Sequence, residues 1–255
     1  MLVDLLTRFE PITLEEMKSI KLMNRIDTKF VTTRDRLMLL LELAQGEYRV
    51  QQTKDERNIP YRTIYWDTHD FDMYRVHQTG HCGRQKLRFR TYVNSDLQFM
   101  EVKTKNNKGR TKKKRLQVND MDLSAADKLA FLKQHLRYEA DTLQPAIQNE
   151  FRRITLVNRA KTERLTIDNG LRFNNLISGQ SRDMGDLIII ELKRDGLCYS
   201  PVLNMLLQLR IMPHGFSKYC MGSAMTNPLL PVNRFKPKLR DVERILRSAN
   251  KNREN

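Results

Sequence analysis

Charged side chains recur at every second position along several stretches of this sequence. Lys86, Arg88 and Arg90 alternate with Leu87 and Phe89, and Glu101, Lys103 and Lys105 stand opposite Met100 and Val102. Lys112 and Lys114 share a parity, Arg164, Thr166 and Asp168 oppose Leu165 and Ile167, and Glu191 with Lys193 opposes Ile190 and Leu192. Successive side chains of an extended chain point to opposite faces, so each stretch reads as a strand with one charged and one apolar face. An antiparallel sheet wetted on one side presents the same pattern, strand by strand. The whole set, however, is lopsided: cations dominate, and the few acids keep their company, as in EVK and ELK. Curled into a barrel, such faces would line a cationic lumen suited to a chain of phosphates. Lysine and arginine would neutralise phosphoryl oxygens, and a glutamate would hold a hard cation such as Mg²⁺ or Mn²⁺.

The elements that must position these residues are mixed. Thr13–Asn24 has a capping threonine, acids in its first turn and helical apolar spacing. RIDTKFVT at 25–32 alternates, and a leucine-rich helix follows from Thr33 to Leu43. From Glu47 to Val118 the text is mostly strand-like, with turns at His69-Asp70, Asn94-Ser95 and Asn106–Gly109. Ser124–Leu136 reads as a helix capped by Ser124 and splits the strands into two parts. Strands resume at EFRRITLVN, RLTID and LIIIELK, followed by short helices after Pro201 and Ser217. The expected fold class is α+β: an antiparallel β-barrel tunnel with peripheral helices over residues 1–226, then a loosely docked basic tail over 227–255.

The 255 residues carry a formal net charge of +16, which calls for a polyanionic partner. Three cysteines, Cys82, Cys198 and Cys220, have neither the even count nor the spacing of a disulfide framework or zinc site. The opening segment lacks the pattern of a signal peptide, and no apolar run approaches the roughly 20 residues needed to span a bilayer, so the expected location is cytoplasmic. No Ser, His and Asp arrangement or activated cysteine stands out as a nucleophilic site.

The ordered features DTKFVT, IYWDT, RFRTY, EVKTK, FRR, ERLTID, IIELK and FSKY resemble the VTC domain of polyphosphate polymerases, within the triphosphate tunnel metalloenzyme superfamily. The resemblance covers nearly the whole chain. It implies that Lys29, Arg88, Arg90, Lys103, Arg153, Arg164, Lys193 and Lys218 bind phosphates, with Ser217 as a hydroxyl donor and Glu191 as the metal-binding carboxylate. Arg88, Arg90, Lys103, Lys193 and Lys218 would form the catalytic set. The implied reaction transfers the terminal phosphoryl group of a nucleoside triphosphate to a growing inorganic polyphosphate chain with a divalent metal, Mn²⁺ or Mg²⁺. It relies on positioning and charge neutralisation rather than on a protein nucleophile. The ExExK signature of the superfamily's hydrolases and cyclases is missing, since RIDTKF offers only Asp27 and Lys29. His77 and Gly80 stand where those polymerases carry further basic residues.

Other readings of the same residues remain. The lumen could hydrolyse tripolyphosphate or bind polyphosphate without turnover. The run KTKNNKGRTKKKR reads as a hairpin with Lys103, Lys112 and Lys114 facing inward and Lys105 and Lys108 adding to the outer field; a nucleic-acid patch is the competing reading. Glu101 is a second metal candidate, or else an ion-pair partner that orients its neighbours. Tyr65 and Trp66 read as core aromatics rather than a base-stacking platform. The basic tail could dock on an acidic membrane or a membrane partner.

Overall fold

The computed structural model describes residues 2–20, 22, 24–106 and 111–254. In chain order the elements are α1 (Leu2–Thr7), β1 (Glu10–Ile12), α2 (Leu14–Ser19), β2 (Arg25–Thr33), α3 (Arg34–Ala44), β3 (Tyr48–Gln51) and β4 (Ile59–Thr68). Then come α4 (Asp72–Thr79), β5 (Gln85–Tyr92), β6 (Leu97–Lys105), β7 (Thr111–Val118), α5 (Ala126–His135), β8 (Leu143–Asn158) and β9 (Glu163–Asn175). The chain finishes with β10 (Ser181–Asp183), β11 (Leu187–Asp195), α6 (Pro201–Gln208), α7 (Lys218–Thr226) and α8 (Lys236–Glu254).

The described strands form one sheet with main path β2-β11-β9-β8-β4-β5-β6-β7. Every pairing on this path is antiparallel, and for β5–β6, β6–β7 and β8–β9 the short hairpin connections require it. Hydrogen bonds do not close the path, because β2 and β7 are its two ends; the curled sheet makes a tunnel with a seam. The hairpin turn between β6 and β7 falls at 107–110, with Lys108, outside the described residues.

Alternation sorts the strands into two faces, as the sequence suggested. Leu156, Leu165, Ile167, Ile190 and Leu192 look outward and pack under α1, α3 and α6. Leu87, Phe89, Met100 and Val102 look outward at the other side of the sheet, against Leu132 of α5 and Met73 of α4. The opposite parity faces the concave side, and there α7 lies inside the curl. A β-carbon on its Gly222 would stand 2.5 Å from a Phe173 ring carbon and 2.8 Å from Ile147, so only glycine allows this approach.

A buried aspartate fixes α4 and α7 together. The carboxylate of Asp67, at the end of β4, accepts the backbone N–H groups of Thr68, Met73 and Tyr74 at 2.8–2.9 Å and the hydroxyl of Tyr219. It thereby satisfies the first turn of α4 from a distance. Thr13 caps α2 as expected, and Glu16 completes a reciprocal box with it. Ser124 does not cap α5: its hydroxyl donates to Asp122, and the helix starts after Ala125.

Residues beyond 226 are not a loose appendage. Leu230, Phe235 and Val242 are buried in the same cluster as Tyr74 and Tyr219, and Leu239 and Ile245 pack against it. The basic composition of this stretch masks an apolar stripe at helical spacing. No described helix is long and apolar enough to cross a membrane.

Candidate functional site

The cross-strand register brings the inward-facing residues together. On one wall, Glu191 of β11 sits between Lys29 of β2 and Thr166 of β9, and Lys193 sits between Asp27 and Arg164. Asp168 of β9 stands opposite Arg153 of β8. On the other wall, Arg88 of β5 faces Tyr65 of β4 and Glu101 of β6, Arg90 faces Thr63, and Lys86 faces Lys103. The walls are within electrostatic reach of each other: Arg153 acts on Arg90, and Glu191 acts on Lys103.

Three carboxylates organise most of these cations. Asp168 takes a two-point bond from Arg153, Nε at 2.6 Å and Nη2 at 2.8 Å, and a further bond from Lys218 at the start of α7. Burial pushes its carboxyl up, but Arg153 and then Lys218 outweigh that and hold it well below the carboxylate range. Glu101 is bonded by Arg88 Nε at 2.6 Å and Lys113 Nζ at 3.0 Å, and Glu191 by Lys193 Nζ at 2.8 Å and by Lys29. Both are likewise held low against the effect of burial by those neighbouring cations.

Arg90 and Lys103, like Lys86 and Arg164, have no carboxylate partner among the described residues. Arg90 is 8% exposed, and its hydrogen bond to protein is a long one, 3.5 Å from Nε to Thr63 Oγ1. Burial, then Arg88 and Arg153, lower its guanidinium to about 10. Lys103 stands opposite both Lys86 and Lys113, and the charge of Arg88, followed by burial, pulls its ammonium well below the ordinary lysine value. Aromatic faces support the arginines: Tyr61 lies 5.5 Å from Arg90 and 5.3 Å from Arg153, and itself stacks on Phe151.

The N-terminus of α7 points into this group. Ser217 caps it by accepting Cys220 N–H at 3.2 Å and also accepts Lys86 Nζ at 2.8 Å. The positive end of the helix therefore adds to Lys218 and Lys86.

Of the expected phosphate-binding residues, Lys29, Arg88, Arg90, Lys103, Arg153, Lys193, Ser217 and Lys218 converge. Arg164 shares the face but lies toward one end, bonded through Nη2 to Met17 O at 3.1 Å. Lys112 and Lys114 are corrected: they pair in register with Thr104 and Val102 and point to the outer face, while Lys113 and Arg115 point inward. A run of four cations carries no alternation, so its facing is set by the β6 pairing alone. Reading by charge passed over Asp168 as the hub of Arg153 and Lys218; its place on the charged face of β9 was the available signal. Tyr65 is buried as expected, yet its ring lies on the inner face, where Arg88 Nη1 reaches its hydroxyl at 3.3 Å.

Among the described residues no three His, Cys, Asp or Glu side chains gather as a metal cage. Glu191 is the inward carboxylate of β11 and is held by Lys29 and Lys193. Glu101, deep in its arginine and lysine pair, fits its ion-pair reading.

The VTC domain pattern matches residues 24–227. The chain belongs to the VTC domain family. A candidate adenylate cyclase from Bacillus halodurans is similar in structure at 14% identity and a TM-score of 0.51, over 76% of this chain and 96% of that one. A candidate adenylyl cyclase from Hippeastrum with a dominant triphosphatase activity of its own aligns at 14% identity and a TM-score of 0.48, over 82% and 99%. A candidate adenylate cyclase from Vibrio parahaemolyticus aligns at 11% identity and a TM-score of 0.45, over 79% and 99%. No curated protein matches the sequence. The fold of this VTC domain is therefore of the triphosphate-tunnel type.

Proposed function

We propose that this VTC domain grips the phosphates of a nucleoside triphosphate and of inorganic polyphosphate in its tunnel and transfers the terminal phosphoryl group to the chain end. The observation that carries this reading is the set of inward cations, Arg90, Lys103 and Lys86, left without a carboxylate among the described residues beside the paired Arg88, Arg153 and Lys218. Burying charge without a partner is costly, and a polyanion threaded between the walls removes that cost. Arg88 and Arg90 would hold non-bridging oxygens with planar donor pairs, and Lys103 and Lys218 would neutralise charge as it moves to the leaving oxygen. Lys29 and Lys193 would keep Glu191 ionised and turned inward. A divalent ion held there by Glu191 would supply charge neutralisation for the phosphates.

A second reading is favoured by one specific contact. Glu191 is already held by two lysines, which compete with any metal, and a tunnel so arranged would bind polyphosphate without turning it over. Incubation with ATP and Mn²⁺, beside Glu191→Gln, separates the readings. Long polyphosphate with ADP, lost in the variant, supports transfer. Orthophosphate alone points to hydrolysis, and tight tripolyphosphate binding without products points to the binding module. No binding of tripolyphosphate at all sinks both.

A further inference from the structure

The cations of β5 and β6 continue past the site just described. Arg84 lies immediately before β5 on the same parity as Lys86, Arg88 and Arg90, and its carbonyl accepts Lys105 N–H at 2.9 Å. Arg84 and Lys105, then Lys86 and Lys103, thus form successive rungs of like charge on the inner face. Like charges directly opposite one another destabilise a strand pair. Among the described residues, none of Arg84, Lys86 and Lys105 pairs with a carboxylate; Lys86 bonds only to the Ser217 hydroxyl. From Arg90 to Arg84 the row runs about 20 Å at roughly 3.4 Å per residue, longer than a triphosphate group.

A fourth cation reaches this mouth from α8. A β-carbon on Gly215, two residues before the α7 cap, would stand 3.6 Å from Lys238 Nζ. The segment leading into α8 is tied down beside it, where Arg234 Nη1 donates to Thr79 O at the end of α4. His77 of α4 faces the same place but supplies no charge. Its Nδ1 is buried without a partner among the described residues, and burial, then Lys86, Arg84, Lys238 and Lys105, lower the ring to about 2.

We propose that this α4–β5 mouth is a subsite for the distal phosphates of a long inorganic polyphosphate chain, completed by Lys238 from α8. It rests on the tunnel reading above and specifies which end of the tunnel takes the chain. Lys238 lies beyond the matched residues 24–227, so the C-terminal helix here supplies the cation that His77 does not.

The test is calorimetric titration of the full chain, Lys238→Gln and Arg182→Gln with tripolyphosphate, long-chain polyphosphate and single-stranded DNA. Arg182→Gln removes the same charge from an exposed position on β10. Lys238→Gln should weaken long-chain binding about threefold to tenfold and leave tripolyphosphate unchanged, with no effect of Arg182→Gln on either. Unchanged long-chain affinity in Lys238→Gln, or an equal loss in Arg182→Gln, overturns the subsite. DNA bound as tightly as polyphosphate, with the same loss in Lys238→Gln, also overturns it in favour of a general polyanion surface. If the unmodified chain does not bind tripolyphosphate, the tunnel reading itself has failed and the subsite falls with it.

Discussion

Replacing Arg90 with methionine should stabilise the protein and impair its binding at once. The guanidinium lies lower in the folded chain, about 10, than its ordinary 12.5, so the charged form is disfavoured by folding. That penalty is complete at neutral pH and is relieved only as pH rises from about 10 toward 12.5. At about 1.4 kcal/mol per pH unit the gap corresponds to about 3 kcal/mol. Loss of the Tyr61 ring contact offsets about 1 kcal/mol, leaving a net gain of about 2 kcal/mol and a Tm higher by about 4–8 °C for a chain of this size. In the complex, the charge-assisted bonds that Arg90 would make to phosphate contribute about 1.5–3 kcal/mol, so tripolyphosphate affinity should fall about tenfold to a hundredfold. Differential scanning calorimetry of the free variant and titration with tripolyphosphate measure the two effects separately. A lower Tm in the free variant, or an unchanged affinity, would refute the argument that Arg90 is an uncompensated cation awaiting an anion.

Asp168→Asn leaves Arg153 and Lys218 buried without their carboxylate and should cost about 3–5 kcal/mol in urea unfolding at neutral pH. Because the Asp168 carboxyl is depressed in the folded state, its contribution is present above 3.8 and is lost as pH falls through the lower folded value. The acid unfolding profile of the variant should therefore be flatter than that of the parent, and equal slopes would exclude the assignment. Lys113→Ala should weaken tripolyphosphate binding about threefold to tenfold, whereas the double variant Lys112→Ala, Lys114→Ala should leave it unchanged at moderate salt. The reverse order in a titration would mean that β7 is paired one residue out of the register described.

The site was legible wherever charge obeyed a period of two. Arg88, Arg90, Lys103, Glu191 and Lys193 each have apolar neighbours that announce the outer face, so their convergence followed from curling the sheet. Lys112 to Arg115 have no apolar neighbour to mark parity, and only the hydrogen bonds to β6 decide their facing. The helix α4 was hidden in strand-like text because its first turn is satisfied by Asp67, which belongs to a different element. The docking of α8 was hidden for a related reason. Val242 is spaced among arginines and lysines whose charge dominates any reading by composition, although its own burial is nearly complete at 2% exposure.

The seam between β2 and β7 has a mechanical consequence. A closed barrel resists widening through a continuous ring of hydrogen bonds, whereas here the hoop is cut and the cations on its two arms repel. On the function proposed above, an anion held by Lys29 on one arm and Lys103 on the other would act as the clasp of that hoop. The bore would then be adjustable, gripping whatever thickness of polyanion supplies enough charge to draw the arms together.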